Sequence, residues 1–225
     1  MKLRNGTKFY TNNDIMDVVA IIENFDFYNQ HDYFMMNKNL SKPKIVDIGA
    51  HIGTFSIYAA RKYPDGIIYS YEPDKKNYEK LVMNVTLNKI ENVIPFNLAV
   101  GKINGKTLLY SDEKGSFGTV GSSLIKKQTK SVEVSCITLD DILTINNIDP
   151  VDLLKIDCEG GEYDIIFNSN KKTFDKIKSI SLEYHNVSNF KGSDIEIFLK
   201  EQGYNVKRIP SKKNDRFGFI YANKI

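Results

Sequence analysis

The run Leu154-Lys155-Ile156-Asp157-Cys158-Glu159-Gly160-Gly161-Glu162 places three carboxylates around a glycine pair. It follows the apolar stretch that begins at Val151, so the acids stand where a buried strand would end. In an open α/β sheet, ligands bind at such strand ends. An acid there can orient or deprotonate an attacking hydroxyl. Acids that merely decorate a helix N-terminus would give the same pattern, because the helix dipole favours them. Lys155 lies inside the apolar run, where an unpaired charge is costly, and Asp157 or Glu159 is the expected partner. Cys158 reads as a buried apolar side chain rather than a nucleophile, since no histidine is close to it in sequence.

A second set is Ser181-Leu182-Glu183-Tyr184-His185-Asn186. Glu183 and His185 alternate, so in an extended chain they share a face. A histidine can act as a base near neutral pH, and a hydrogen-bonded structural His185 is the alternative. The candidate catalytic groups are therefore Asp157, Glu159 and His185. Together with Glu183 they could hold a divalent cation, but the pattern does not demand one and no metal is assigned.

A third set reads Val46-Asp47-Ile48-Gly49-Ala50-His51-Ile52-Gly53-Thr54. It leaves a strand and opens a helix. Gly49 permits a tight turn and close approach of the backbone to a ligand, and the helix start offers unpaired N–H groups. Dinucleotide sites use GxGxxG to seat a pyrophosphate. The spacing here is G-x-x-x-G, which suits a cofactor without one. Glu72 follows Gly53 by 19 residues, just before Pro73, at a second strand end. An acid there can accept both hydrogen bonds of a ribose diol. Asn97-Leu98-Ala99-Val100-Gly101 closes a third strand, and the small Ala99 leaves room for a flat ring. The expected cofactor-binding residues are Asp47, Gly49, Ala50, His51, Gly53, Thr54, Glu72, Pro73, Ala99, Val100 and Asp157. Asp47 would take an amino group. An adenosyl cofactor joined to an amino acid, S-adenosylmethionine, fits this set.

Strands and helices alternate from Lys44 onward, as a parallel sheet with helices on both faces requires. Strands are expected at Lys44–Ile48, Gly66–Tyr71, Asn92–Leu98, Val151–Ile156 and Ser179–Tyr184. Helices are expected at Thr54–Lys62, Lys75–Asn88 and from about Glu162. Lys106–Tyr110 and Ser131–Ile137 read as a hairpin-like insertion flanking a loop rich in Gly and Ser, in which Gly115 to Ser123 could act as a lid. Thr138 starts a short helix with Asp141 as capping partner, and Ser193 with Glu196 forms a second capping box. Tyr204–Ile209 and Phe217–Asn223 are joined by too short a loop for a crossover helix, so the last strand runs antiparallel. That ending distinguishes the methyltransferase variant of the Rossmann architecture from a dinucleotide fold. The first 40 residues differ: a helix after Asn13 with Ile15, Val18, Val19 and Ile22 on one face, then an aromatic stretch from Asp26 to Met36. They read as a helical cap on a domain spanning 41–225.

The length of 225 residues suits one domain of that kind. A net charge of +3, with basic residues scattered, gives no nucleic-acid signal. Two cysteines without CxxC spacing suggest a reducing, cytoplasmic setting. No apolar run reaches the roughly 18 residues of a membrane span. The sequons at Asn39, Asn84 and Asn186 read as chance.

The stretches VDIGAHIGTFSIYAA, YEPDKKNYEKL, NLAVG, SVEVSCITLDDIL, VDLLKIDCEGGEYDII and SLEYHN, in this order over roughly residues 44 to 186, resemble the FkbM family of methyltransferases. The resemblance implies a class I fold and transfer of a methyl group to a hydroxyl, often on a sugar or a polyketide-type product. The expected partner is thus a small-molecule or carbohydrate acceptor. The family commonly has Asn where this chain has His51, and an apolar residue such as Val where it has Cys158. A nucleic-acid or protein methyltransferase, or a catalytically silent S-adenosylmethionine-binding protein, is the alternative.

Overall fold

Three apolar runs are buried along nearly their whole length: Lys44–Ile48 (β1), Ile67–Tyr71 (β2) and Leu153–Ile156 (β8). Strands covered on both faces belong at the centre of a parallel sheet, and the computed structural model puts them there. It describes residues 1–12, 15–25, 40–111, 117–120, 130–187, 189–211 and 216–224. The remaining strands are Val93–Phe96 (β3), Ala99–Val100 (β4), Gly105–Ser111 (β5), Phe117–Val120 (β6), Lys130–Ile137 (β7), Ser179–His185 (β9), Tyr204–Pro210 (β10) and Phe217–Lys224 (β11). The helices are Ile15–Phe25 (α1), Thr54–Lys62 (α2), Lys75–Leu87 (α3), Leu139–Ile145 (α4), Glu162–Asn168 (α5), Lys171–Lys176 (α6) and Gly192–Glu201 (α7).

Seven strands form the main sheet in the order β10-β11-β9-β8-β1-β2-β3. β1, β2, β3, β8 and β9 pair parallel, while β11 runs antiparallel to both β9 and β10. The mostly parallel sheet with one reversed strand near its edge is the arrangement expected from the terminal hairpin. Alternate strand residues feed two cores. Ile45, Ile68 and Leu153 pack with Phe55, Leu81 and Ile21 of the helices α1 to α3 on one face. Val46, Tyr71, Leu154 and Ile156 pack with Ile142, Ile165, Phe174 and Leu199 of α4 to α7 on the other.

Several local expectations need correction. The strand expected over Asn92–Leu98 ends at Phe96, and Ala99–Val100 joins a second sheet of order β4-β7-β5-β6. That sheet contains the anticipated antiparallel pair β5 and β7. Phe117–Val120, read as part of a loop, pairs with β5 as an edge strand; the rest of the expected lid lies outside the described residues, as does the aromatic stretch from Asp26 to Met36. The helix beginning at Glu162 is followed by a second helix, because Asn170 caps Thr173 through its side chain at 3.1 Å. α4 starts as expected, with Thr138 Oγ1 accepting from the Asp141 N–H. α7 starts at Gly192 rather than after Ser193, and its caps are Asp194, accepting from the Lys191 N–H at 2.8 Å, and Asn186, accepting from Gly192. A Cβ at position 192 would lie 2.5 Å from the Tyr184 ring, so only glycine lets the helix begin flat on that ring.

The N-terminal residues are tied to α2 and α3. Phe9 and Ile21 are fully buried in the same core as Phe55 and Leu81. α1 turns Asp17, Ile21 and Phe25 inward and leaves Ile15 and Ile22 exposed, so it packs on a face other than the apolar one read from the sequence. Asn84 on α3 and Asn88, which caps its C-terminus, clasp the N-terminal segment. Asn84 Oδ1 accepts from Tyr10 N–H at 2.6 Å and its amide donates to Tyr10 O; Asn88 does the same to Lys8 at 3.0 and 2.7 Å. Asn84 is fully buried, which removes that sequon as a modification site.

Gly49 is where the fold is least tolerant of a side chain. It has φ +76°, and an added Cβ would sit 1.8 Å from the Asp157 carbonyl oxygen. Left-handed backbone costs an L-residue roughly 1–2 kcal/mol before any clash. Gly49→Ala should therefore lower the unfolding free energy by more than about 2 kcal/mol in chemical denaturation, whereas Gly105→Ala, in open space at φ +117°, should lose only the backbone share.

Candidate functional site

The carboxyl ends of β1, β2, β8 and β9 bring together the turn Gly49–Gly53, Glu72, the acidic run Asp157–Glu162 and the pair Glu183 and His185. The turn is sewn to its neighbours by backbone. Gly49 and Ala50 N–H both donate to Tyr71 O at 3.0 Å, and Asp157 N–H donates to Ile48 O at 3.1 Å. Left-handed residues at Gly49, His51 and Gly53 curl the chain into the start of α2. Ala50 and Thr54 are buried beneath it, and Pro73 is half-buried.

Beneath the turn lies a buried ionic knot. Lys155 Nζ is 2.9 Å from Gly49 O, 3.2 Å from Asp47 Oδ1 and 3.8 Å from Asp157 Oδ2. Asp47 is fully buried and also accepts from Ser56 Oγ at 2.6 Å. The expected pairing of Lys155 with Asp157 is present, and Asp47, which was not anticipated as a partner, lies closer still. Asp47 is fully buried, and its carboxylate supports the turn from below.

Glu72 is 5% exposed. Its Oε2 accepts from His51 N–H at 2.8 Å and its Oε1 from Asp74 N–H at 2.9 Å. Both oxygens are thus fixed in direction, and each keeps a further lone pair. Burial pushes this carboxyl up to about 7, opposed by the charge of His51 and the two backbone donors.

The β8–β9 side is an acidic cluster around one histidine. His185 Nδ1 lies 3.1 Å from Glu162 Oε1, and Nε2 lies 3.4 Å from Glu159 and 3.6 Å from Glu183. Burial works against a charged ring, but the bond to Glu162 and the charges of Glu162, Glu159 and Asp157 outweigh it and raise His185 to about 10. The surrounding carboxylates thus favour the protonated ring of His185 at neutral pH. Glu159 has φ +53°. Desolvation in the crevice raises its carboxyl, against the pull of His185; its side chain keeps 55% exposure, so water screens the effect. Asp157 is 36% exposed. Burial pushes the Cys158 thiol well above its usual range, in keeping with an inert side chain. Among the described residues no group of three or more His, Cys, Asp or Glu is arranged to hold a metal ion.

Ala99 and Val100 stand apart from this gathering. Ala99 is fully buried against Leu109 and Cys136 in the second sheet, and Val100 belongs to the main core. Two participants were missed from the sequence. Glu162 is fully buried and accepts from the Cys158 and Gly160 N–H groups at 3.2 Å as well as from His185. Its place in the acidic run was a usable signal. Asp17 meets His51 Nε2 at 3.1 Å, a contact between distant segments that no local pattern carries.

Protonation of His185 has a measurable sign. Its folded pKa lies above the ordinary 6.5, so its stabilising contribution is complete below about 6.5 and is lost as pH rises through about 10. His185→Gln should melt lower than the unaltered chain at pH 6, and the gap should close by pH 10.5. A gap independent of pH in differential scanning calorimetry would contradict the charged ring.

Residues 47–206 match the family model described as Methyltransferase FkbM domain. The chain is 25% identical to Methyltransferase sdnD of Sordaria araneosa, over 88% of each. It is 20% identical to 31-O-demethyl-FK506 methyltransferase FkbM of Streptomyces tacrolimicus, over 72% of each. Among solved structures, TrmK of M. capricolum in complex with S-adenosyl-homocysteine aligns with a TM-score of 0.52 and 14% identity, covering 85% of this chain and 66% of that one.

Proposed function

The chain belongs to the FkbM family of methyltransferases, and from that premise we propose that it transfers a methyl group from S-adenosylmethionine to a hydroxyl of a small molecule or sugar. The observation that carries the cofactor half is Glu72, a buried carboxylate at the end of β2 whose oxygens are oriented by His51 and Asp74. Its remaining lone pairs suit a ribose diol. Asp157, partly exposed beside the turn, suits an amino group better than the fully buried Asp47. When bound, the cofactor supplies an electrophilic methyl on a sulfonium.

The remaining work falls to the chain. Asp157, Glu159 and Glu183 keep 36%, 55% and 25% of their side-chain surface and give the crevice a negative rim. A neutral hydroxyl acceptor is compatible with that rim, whereas a phosphate-bearing strand would be repelled. Glu159 is the base this geometry favours. It faces the crevice, its carboxyl is raised, and His185 holds it from behind through Nε2. It would take the acceptor's proton as the oxygen attacks, while the walls hold that oxygen in line with the methyl. The name of the Streptomyces relative, an O-demethyl product methyltransferase, supports oxygen as the acceptor atom.

Calorimetric titration with S-adenosylhomocysteine tests the cofactor half: Glu72→Ala should weaken binding by about tenfold or more, as expected for two lost hydrogen bonds to a charged acceptor. Unchanged affinity removes the ribose role. With an acceptor found by screening hydroxylated compounds against labelled S-adenosylmethionine, Glu159→Gln should keep cofactor affinity and lose roughly 10²-fold or more in kcat. If Asp157→Asn shows that pattern and Glu159→Gln does not, the base is Asp157.

A further inference from the structure

The left-handed residue of the turn that carries a side chain, His51, is held from two sides. Its N–H donates to Glu72 Oε2 at 2.8 Å, and its Nε2 meets Asp17 Oδ1 at 3.1 Å. Asp17 is 1% exposed, although it sits in the first turn of α1. Its second oxygen accepts from the Asn12 N–H, so the carboxylate is fixed by the segment that precedes its own helix. The next residue of the turn is tied to that segment as well. Asn84 donates to Ile52 O at 2.9 Å while clasping both backbone groups of Tyr10. Two adjacent turn residues are therefore fastened to N-terminal chain by buried polar contacts, more than 30 residues away in sequence.

A carboxylate buried at a helix start costs stability unless a partner compensates it, and Asp17 lies on the inward face of α1. The groups that face this pair are Lys80 toward Asp17, and Glu72, Asp157 and Glu159 toward His51. Burial disfavours charge on both partners, yet their mutual bond prevails: Asp17 is lowered and His51 raised. The His51 ring thus answers to Asp17 on one side and to Glu72 on the other.

We propose that Asp17 is a positioning residue for the cofactor site, acting through His51 to hold the turn and Glu72 in ligand-binding form, so that α1 and the cofactor pocket are energetically coupled. This rests on the cofactor role assigned above to Glu72 and the turn. Coupling of this kind is reciprocal: whatever Asp17 adds to cofactor affinity, the cofactor returns as stabilisation of α1.

The test uses the full chain and S-adenosylhomocysteine. Asp17→Asn should raise Kd about tenfold in calorimetry, and in the His51→Asn background the same substitution should add nothing, because its effect runs through the imidazole. The three histidine rings can be followed by NMR, and the His51 titration should move down in Asp17→Asn. Equal affinity of Asp17→Asn and the unaltered chain, or an undiminished loss in the His51→Asn background, overturns the proposal. If the unaltered chain binds no S-adenosylhomocysteine, the cofactor reading itself fails. Should Asp17→Asn not fold, amide hydrogen exchange of the unaltered chain decides: the ligand should slow exchange across Ile15–Phe25, and unchanged exchange there overturns the coupling.

Discussion

The cation of Lys155 is the contact on which the site is built. It is buried between β8 and β1, where it joins the Asp47 carboxylate to the carbonyl of Gly49. Removing one partner of a buried pair typically costs about 3–5 kcal/mol, because the other charge is left unanswered. The pair does more than stabilise. By holding the Gly49 carbonyl downward it fixes the hand of the turn above, and through Ser56 it reaches Ser70 on β2. Three neighbouring strands and the first turn of α2 are thus registered by one charge network, and the close approach of Gly49 to Asp157 follows from it.

Above that network the site divides by charge. The β2 side offers a single oriented carboxylate, Glu72, flanked by a histidine. The β8–β9 side is more crowded, with three carboxylates around the one His185 ring. Carboxylates so close would repel each other without a cation, and His185 supplies it. A histidine at a strand end, the residue type most readily taken for a base, here lies among acids that favour its charged form. Under the function proposed above, proton transfer falls to the more exposed acid, Glu159, whose carboxyl is raised by desolvation.

The two sheets have separate duties. The main sheet carries the crevice, and its reversed last strand β11 presses against β9, so that Phe217 stacks beside His185 with ring centroids 6.3 Å apart. The second sheet absorbs Ala99 and Val100. The chain turns away after Phe96 because β4 pairs with β7, and β7 already pairs with β5 to form a separate small core around Leu109 and Cys136.

Periodicity and turn chemistry by themselves determined the order of strands and helices, the antiparallel ending and the glycine turn, because these depend on neighbours a few residues away. The family was legible for the same reason: VDIGAHIG and KIDCEGGE are contiguous. What the tertiary structure decided were the partners of charged groups. Lys155 meets Asp47 as well as the neighbouring Asp157 because parallel pairing sets β1 directly beside β8, with Asp47 opposite Lys155. His185 is drawn toward its charged form because Glu162 and Glu159 on one segment and Glu183 on another converge on it. Asp17 entered the site because α1 rotated its apolar face partly outward to meet His51. Each outcome is an electrostatic choice among groups far apart in the chain. A sequence lists the charges but not the distances between them, and distance and burial set their energies.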